Sequence, residues 1–503
     1  MPDAVAASRD TGAEDRAHTR RGAGANVLTL AGQSTSLLFG TIAARLFGQA
    51  AWGSYTTAMA WLDVLVRVAL VGNDKGLLVF VAARRGTGDE PGVIRALVTA
   101  LRVTAISGLA CFLIMMGASW LIASANGQSL DGQALRLLAP LALVSSLTTA
   151  MLAATMATRT LRYSLFSRGL AEPALLLSLA ALFGLTAPSM WTLAAAAVLA
   201  AMGAFAVAFA GLRKRFDLGQ VLRGLRQPNE GAMIRYTIPL ALSELTNIVV
   251  FRLPIFVLVG YAVPAQRAVF NTCLLLASSI SALRGTFDSV LAPMAAEAWA
   301  QGDRARLSEN LQRQSRLVLF VAIPFSSLLI VGAPAWLALY GPGFVSGVRT
   351  LIWLAAGNVI NASFGLMGWV HLASGRTRLM FVNNLTMLVS ELILCLVLIP
   401  RFGVEGAAIA TAFMLVASQA LYAIQGYSFA RMHVLSPGFV RLAAIGLVII
   451  SAEVMTLRLI APTRGPAAIV VPILGLPVYL ALAWWGGGIR RDRRSTAKKN
   501  PKF

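Results

Sequence analysis

Cysteine, histidine and charge are all scarce in this chain, and each shortage removes a class of protein. Only three of the 503 residues are cysteine, three are histidine and 13% are Asp, Glu, Lys or Arg. Cys111, Cys273 and Cys395 lie inside apolar stretches, so neither a disulfide framework nor a metal cluster is expected; they read as small buried hydrophobes. His18, His371 and His433 are too scattered for a metal site or a catalytic triad. The chain has no Gly-rich phosphate loop of the P-loop kind, and hence no sign of ATP binding. Nor is any interior connection large enough to hold a soluble domain, where a membrane polymerase or ligase normally does its chemistry. No catalytic residue, metal or cofactor is expected.

Hydrophobic residues make up 57% of the chain and the mean hydropathy is +0.72. A soluble domain carries about 25% charged residues, so this composition belongs in lipid. A span needs roughly 20 apolar residues. About fourteen stretches qualify: 25–48, 51–73, 93–124, 133–158, 167–187, 190–212, 233–260, 266–298, 316–340, 343–373, 377–400, 404–430, 437–460 and 465–486. The expected class is an all-α integral membrane protein.

The net charge of +22 suggests nucleic acid, but its placement argues against it. Basic residues concentrate at Arg16–Arg21, Lys75–Arg95, Arg159–Arg168, Arg213–Arg226, Arg304–Arg316, Arg376–Arg378, Arg431–Arg441 and Arg490–Lys502. These are the N-terminus, every second loop and the C-terminus. The other loops hold scattered ones, such as Arg136, Arg267, Arg349 and Arg401. That alternation follows the positive-inside rule and puts both termini in the cytoplasm. No nucleic-acid partner is expected; the basic tail faces membrane lipids. The first 24 residues lack the apolar core of a cleavable signal peptide, so the first span is expected to serve as an uncleaved anchor.

The longest interior polar connection, 213–232, suggests a cytoplasmic linker with a short interfacial helix. The expected organisation is a cytoplasmic N-terminal tail (1–24), a six-helix bundle (25–212), the linker (213–232), a second six-helix bundle (233–430), two further spans (431–486) and a basic cytoplasmic tail (487–503). Weak internal symmetry supports the split. The second span carries Asp63 and Arg67, the eighth Arg284 and Asp288, each pair four residues apart and able to meet on one helix face. Pro173, Pro239, Pro254, Pro293 and Pro324 fit kinked helices, or simply the higher frequency of proline in membrane helices.

Charged side chains at a bilayer centre cost roughly 3 kcal/mol or more, and they usually face a water-filled cavity. Arg252, Arg284 and Arg67 are therefore candidate cavity cations for a negatively charged cargo, with Arg252 first because no acid lies within one turn of it. Arg67 lies close enough to its helix end to snorkel. Glu244, Asp288, Asp63 and Glu391 are candidate coupling or pairing carboxylates, and Glu453 is either a further coupling candidate or an acid at a bundle edge. Asn358, Asn361, Gly365 and Gly368 share one helix face, which favours helix–helix packing.

The segment from Tyr340 to Ala412 resembles the C-terminal half of bacterial polysaccharide (oligosaccharide) flippases of the multidrug/oligosaccharidyl-lipid/polysaccharide exporter superfamily. The resemblance rests on Ala-Ser-Gly-Arg-Thr at 373–377, the pair Asn383-Asn384 and Ile-Pro-Arg-Phe-Gly-Val-Glu-Gly-Ala-Ala at 399–408. The stretch AARLFGQAAWGSY at 43–55 and Gly72-Asn73-Asp74-Lys75-Gly76 are similar to the first helical pair of the same family. The resemblance implies two six-helix bundles around a central V-shaped cavity, with two extra C-terminal helices. It implies a cargo too: an undecaprenyl-pyrophosphate-linked oligosaccharide moved across the bacterial plasma membrane, with other polysaccharide-assembly proteins as partners. Guanidinium binds phosphate bidentately, which matches the buried arginines. A multidrug or cation antiporter of the same superfamily, or a membrane glycan polymerase or ligase, are the alternatives.

Overall fold

The computed structural model describes residues 32, 34–126, 129–158, 160–224, 228–460 and 467–485. His18, both terminal tails and the start of the first span lie outside the described residues. Helices account for nearly all the rest, and no strand occurs among the described residues. Lipid offers no hydrogen-bond partner to a backbone, so a spanning chain must satisfy its own N–H and C=O groups, as helices do. Eleven of the described helices are long and apolar enough to cross a membrane.

The chain divides into two compact units, Met1–Thr272 and Cys273–Phe503. The first holds α1 (Ser34–Phe47), α2 (Gln49–Leu70), α3 (Asn73–Gly86), α4 (Glu90–Asn126), α5 (Leu130–Leu138) and α6 (Pro140–Ala157). It continues through α7 (Arg162–Phe166), a π-helical turn at Ser167–Ala171, α8 (Glu172–Thr186), α9 (Met190–Arg215), α10 (Leu218–Gly224), α11 (Gly231–Val259) and the first residues of α12 (Pro264–Ala300). The 213–232 connection thus contains the end of α9 and the short helix α10. The long helix that follows it, α11, packs on α2 and α3.

Local chemistry sets several of these boundaries. Ser189 and Thr192 form a reciprocal capping box at the start of α9, at 3.2 and 3.1 Å, and Arg213–Arg215 close its last turn against the helix dipole. Between α2 and α3 the chain turns through Val71 and Gly72, both with positive φ. A β-branched residue in that region is a genuine outlier. Gly72 is needed there twice over, because a Cβ would also stand 2.6 Å from the Thr237 carbonyl oxygen of α11. At the other end of α2, a Cβ on Gly53 would meet the Pro264 oxygen at 1.8 Å, so only glycine admits the first turn of α12.

The second unit holds the rest of α12, α13 (Arg304–Val331), α14 (Ala333–Tyr340), α15 (Val348–Phe364), α16 (Met367–Ala373), α17 (Thr377–Ala430), α18 (Pro437–Ile460) and α19 (Ala467–Trp485). The 54 residues of α17 are two helices joined at Gly403, where φ is 56°. Paired amides on the two arms show the chain doubling back: Asn383 and Gln425 bond reciprocally at 2.7 and 2.8 Å. Pro239 and Pro254 lie inside α11, Pro324 inside α13, and Pro173 in the first turn of α8, where a missing N–H costs nothing.

Candidate functional site

Within the first unit a cavity of about 360 Å³ opens among α2, α6, the π turn, α8, α9 and α11. Its wall is apolar on the α9 side, where Ala197, Ala200 and Ala201 leave room, and charged on the facing side. Arg67 and Asp63 come from α2, Arg168 from the π turn and Glu172 from the start of α8; Ser145 and Thr149 of α6 and Tyr55 of α2 complete the polar lining. A second hollow, lined by Leu101, Ile106, Phe205, Phe209 and Leu222 among others, is apolar except for Arg102. Charge therefore singles out the first.

Every cation of this cavity has a carboxylate partner. Arg67 reaches Asp74 at 3.4 Å, across the Val71–Gly72 turn, rather than Asp63 on its own helix. Asp63 instead receives the Arg252 guanidinium from α11, 189 residues along the chain. The i, i+4 pairing expected between Asp63 and Arg67 is thus replaced by two pairs between elements. Arg252, which the sequence leaves without a partner, has one through the fold. Arg168 is held by the Thr149 hydroxyl at 2.7 Å and the Ser145 carbonyl at 3.2 Å, with Glu172 at 3.6 Å. Nearby, Lys75 of α3 donates to Glu244 of α11 at 2.6 Å.

Arg168 was not visible as a site residue in the sequence, where it ends a basic loop cluster. It lies in the π turn and lines the cavity, and such bulges frequently mark functional sites. Arg267 is a second surprise. Expected in an outer loop, it is only 2% exposed and donates to Asp131 at 2.5 Å and Thr57 at 3.1 Å, while Ser54 donates to the same carboxylate at 2.6 Å. It ties the first turn of α12 to α2 and α5.

The second unit builds its charged group locally. Arg284 Nε meets Asp288 at 3.3 Å on the same helix, as the spacing predicts, and its Nη1 donates to the Asn361 carbonyl at 3.3 Å. Asp288 also accepts from the Trp369 indole at 2.8 Å. Ser281, Asn358, Asn361 and Gln419 continue as a hydrogen-bonded chain linking α12, α15 and α17, so the polar face of α15 is a packing surface. Glu391 is fully buried between the arms of α17, bonded to Thr411 at 3.3 Å. Glu453, placed by the sequence at an edge, is buried as well: Ser327 of α13 donates to it, and Gly475 of α19 leaves it space. His371 packs edge-on against Tyr422 and Phe429.

Comparison with known proteins gives this architecture a family. Residues 42–346 match the model of a family described as polysaccharide biosynthesis protein. No curated protein sequence matches the chain. Among solved structures, the lipid II flippase MurJ in an inward closed conformation is similar at a TM-score of 0.71, with 14% identity over 94% of this chain and 99% of that one. An inward-facing multidrug resistance MATE transporter of the MOP superfamily is similar at 0.64, with 15% identity over 79% of this chain and 94% of that one. A MOP superfamily transporter from Pyrococcus furiosus, described by the reversed polarity of its binding pocket, is similar at 0.55, with 14% identity over 81% of this chain and 94% of that one. The chain is a multi-pass membrane protein with the fold of these transporters, and it belongs to the polysaccharide biosynthesis protein family.

Proposed function

We propose that this protein flips an undecaprenyl-pyrophosphate-linked oligosaccharide across the bacterial plasma membrane by alternating access, for surface polysaccharide assembly and without covalent chemistry. The observation that carries the reading is the arginine-bearing cavity of the first unit, formed by membrane-spanning helices in a chain of this family. Guanidinium groups in such a place suit phosphate, which they bind through parallel charge-assisted hydrogen bonds. Arg67 and Arg168 would meet the pyrophosphate directly, with Arg252 released to it from Asp63, and Arg284 would serve the cargo from the second unit. The organisation proposed is two six-helix bundles, 25–212 and 233–430, with both termini cytoplasmic and 431–486 as additional spans.

Alanine at Arg252, Arg168 or Arg284 is expected to abolish surface polysaccharide in a deletion strain while the protein still reaches the membrane. Normal export from all three variants overturns the cavity-arginine mechanism. The carboxylates Asp63 and Glu172 on the same wall are the feature an antiporter for cations would use. Drug resistance on overexpression, with normal surface glycan on deletion, would establish that reading instead.

A further inference from the structure

The apolar hollow of the first unit, about 480 Å³, lies apart from the arginine cavity. On α6 the cavity is lined by Ser145 and Thr149, the hollow by Leu147 and Met151. Side chains two residues apart on a helix point about 200° from each other, so α6 stands between the two spaces. Leu101 and Ile106 of α4, Phe205 and Phe209 of α9 and Leu222 of α10 give the hollow its apolar wall. It opens toward lipid: Ile106, Phe209 and Leu222 are all exposed, and Leu109 and Leu113 continue the exposed face of α4 beyond it. Lipid tails cover such a face as readily as leucine would.

Cations crowd its rim. Arg213 directly follows the lining residue Leu212 at the end of α9, Arg223 directly follows Leu222 in α10, and Arg102 of α4 stands in the wall itself. Between 213 and 223 the chain carries Arg213, Lys214, Arg215 and Arg223 against one acid, Asp217, which leaves +3. All four cations are exposed, and the Asp217 carboxylate accepts the Gly219 N–H at 2.8 Å. The short helix that brings Arg223 to the rim is firmly seated. Arg102 donates to the Gly224 carbonyl at 3.5 Å and to Asn229 Oδ1 at 2.9 Å, and a Cβ on Gly224 would stand 2.9 Å from Val98 of α4. α10 is thus pinned on α4, with its charge beside apolar space.

We propose that this hollow is a binding site for an acidic phospholipid, with an acyl chain lying between α4 and α9 and the phosphate on Arg213 and Arg223. An apolar hollow with a cationic rim is complementary to an amphiphile with an anionic head. A neutral chain leaves the cations unmatched, and a soluble anion leaves the hollow unfilled. Basic pockets between membrane helices hold acidic headgroups in this way. A phospholipid of the surrounding bilayer is favoured over the cargo because α6 separates the hollow from the arginine cavity, and the inference does not depend on what that cavity carries. The bound lipid bridges α4, α9 and α10, so it stabilises the attachment of the 213–232 connection to the first unit.

The test uses the full-length chain in detergent, stripped of lipid, with bound molecules counted by native mass spectrometry. The probes are phosphatidylglycerol and phosphatidylcholine with the same acyl chains, undecaprenyl pyrophosphate and inorganic phosphate. Phosphatidylglycerol is expected to bind the more tightly of the two phospholipids. Arg213→Gln and Arg223→Gln should each weaken it about fivefold, the effect of one basic residue beside an acidic headgroup, whereas Arg136→Gln on α5 should leave it unchanged. Ala105→Phe puts a ring into the hollow and should remove the site for both phospholipids. That substitution risks repacking α4; the two arginines are exposed, so their variants keep the test decisive. Equal binding of both phospholipids overturns the proposal, as does phosphatidylglycerol binding that all the arginine variants reduce alike or leave unchanged. Inorganic phosphate that binds as tightly as the lipid overturns it by showing an anion site with no role for the chain. Undecaprenyl pyrophosphate bound more tightly and lost in Ala105→Phe would make the hollow a seat for cargo, and a dimer that Ala105→Phe dissociates would seat a second copy there; either result overturns it.

Discussion

The two units hold their intramembrane arginines in opposite ways. In the second, Arg284 finds Asp288 one turn along its own helix and a carbonyl on α15. In the first, Arg67, Arg252 and Arg267 all find their acids on other elements: Asp74 across a strained turn, Asp63 on α2 and Asp131 on α5. A local pair can form as soon as its helix forms. A pair between elements also reports, and depends on, how the helices are packed. The first unit can therefore couple charge to helix arrangement, whereas the Arg284–Asp288 pair by itself cannot.

That contrast predicts a gradient of stability effects. The largest belongs to Arg267, which at 2% exposure has no access to water if its carboxylate is lost. Asp131→Asn should cost about 3–5 kcal/mol, the range for stranding one partner of a buried pair. Thermal unfolding of the purified protein measures it, and a loss below about 1 kcal/mol would erase the distinction between the units. Next is Gly365→Ala. A Cβ there would stand 1.7 Å from Nη1 of Arg284, so the guanidinium must move. Overpacking of this kind costs about 1–3 kcal/mol, and export should fall with stability if Arg284 serves the cargo. The smallest is Asp288→Asn. It removes the charge of a local pair but keeps an oxygen for the Trp369 N–H, so about 1 kcal/mol or less is expected. A loss as large as that of Asp131→Asn would show that the second unit relies on its pair as heavily as the first.

Much of this molecule is legible without its fold. Apolar run lengths give the membrane class because an unsatisfied backbone is intolerable in lipid, whatever the neighbours are. The Arg284–Asp288 pair is legible because a helix puts residues four apart on one face. The doubling back at 399–406 announces itself through Ile399-Pro400 and Gly403, and the structure turns there. The amides of α15, Asn358 and Asn361, bond across to α12 and α17 as packing residues do in lipid, whereas Gly365 and Gly368 lie beyond the end of that helix.

What the sequence left open was partner choice. Asp63 has an arginine four residues away, and local spacing names it; the fold gives it Arg252 instead. Arg168 looks like the end of a basic loop, and the fold places it in a π turn on the cavity wall. Arg267 sits beside an expected outer turn, yet the Gly53–Pro264 approach buries it. By itself, then, the sequence determined the helical class and its immersion in lipid, and it named a contact such as Arg284–Asp288 that one helix makes with itself, because hydropathy and helical periodicity act over a few residues. The tertiary structure alone decided which charge meets which and which of them share a cavity. Electrostatic pairing follows distance in space, and for Asp63 and Arg252 that distance is fixed by helices packed from chain segments far apart in sequence.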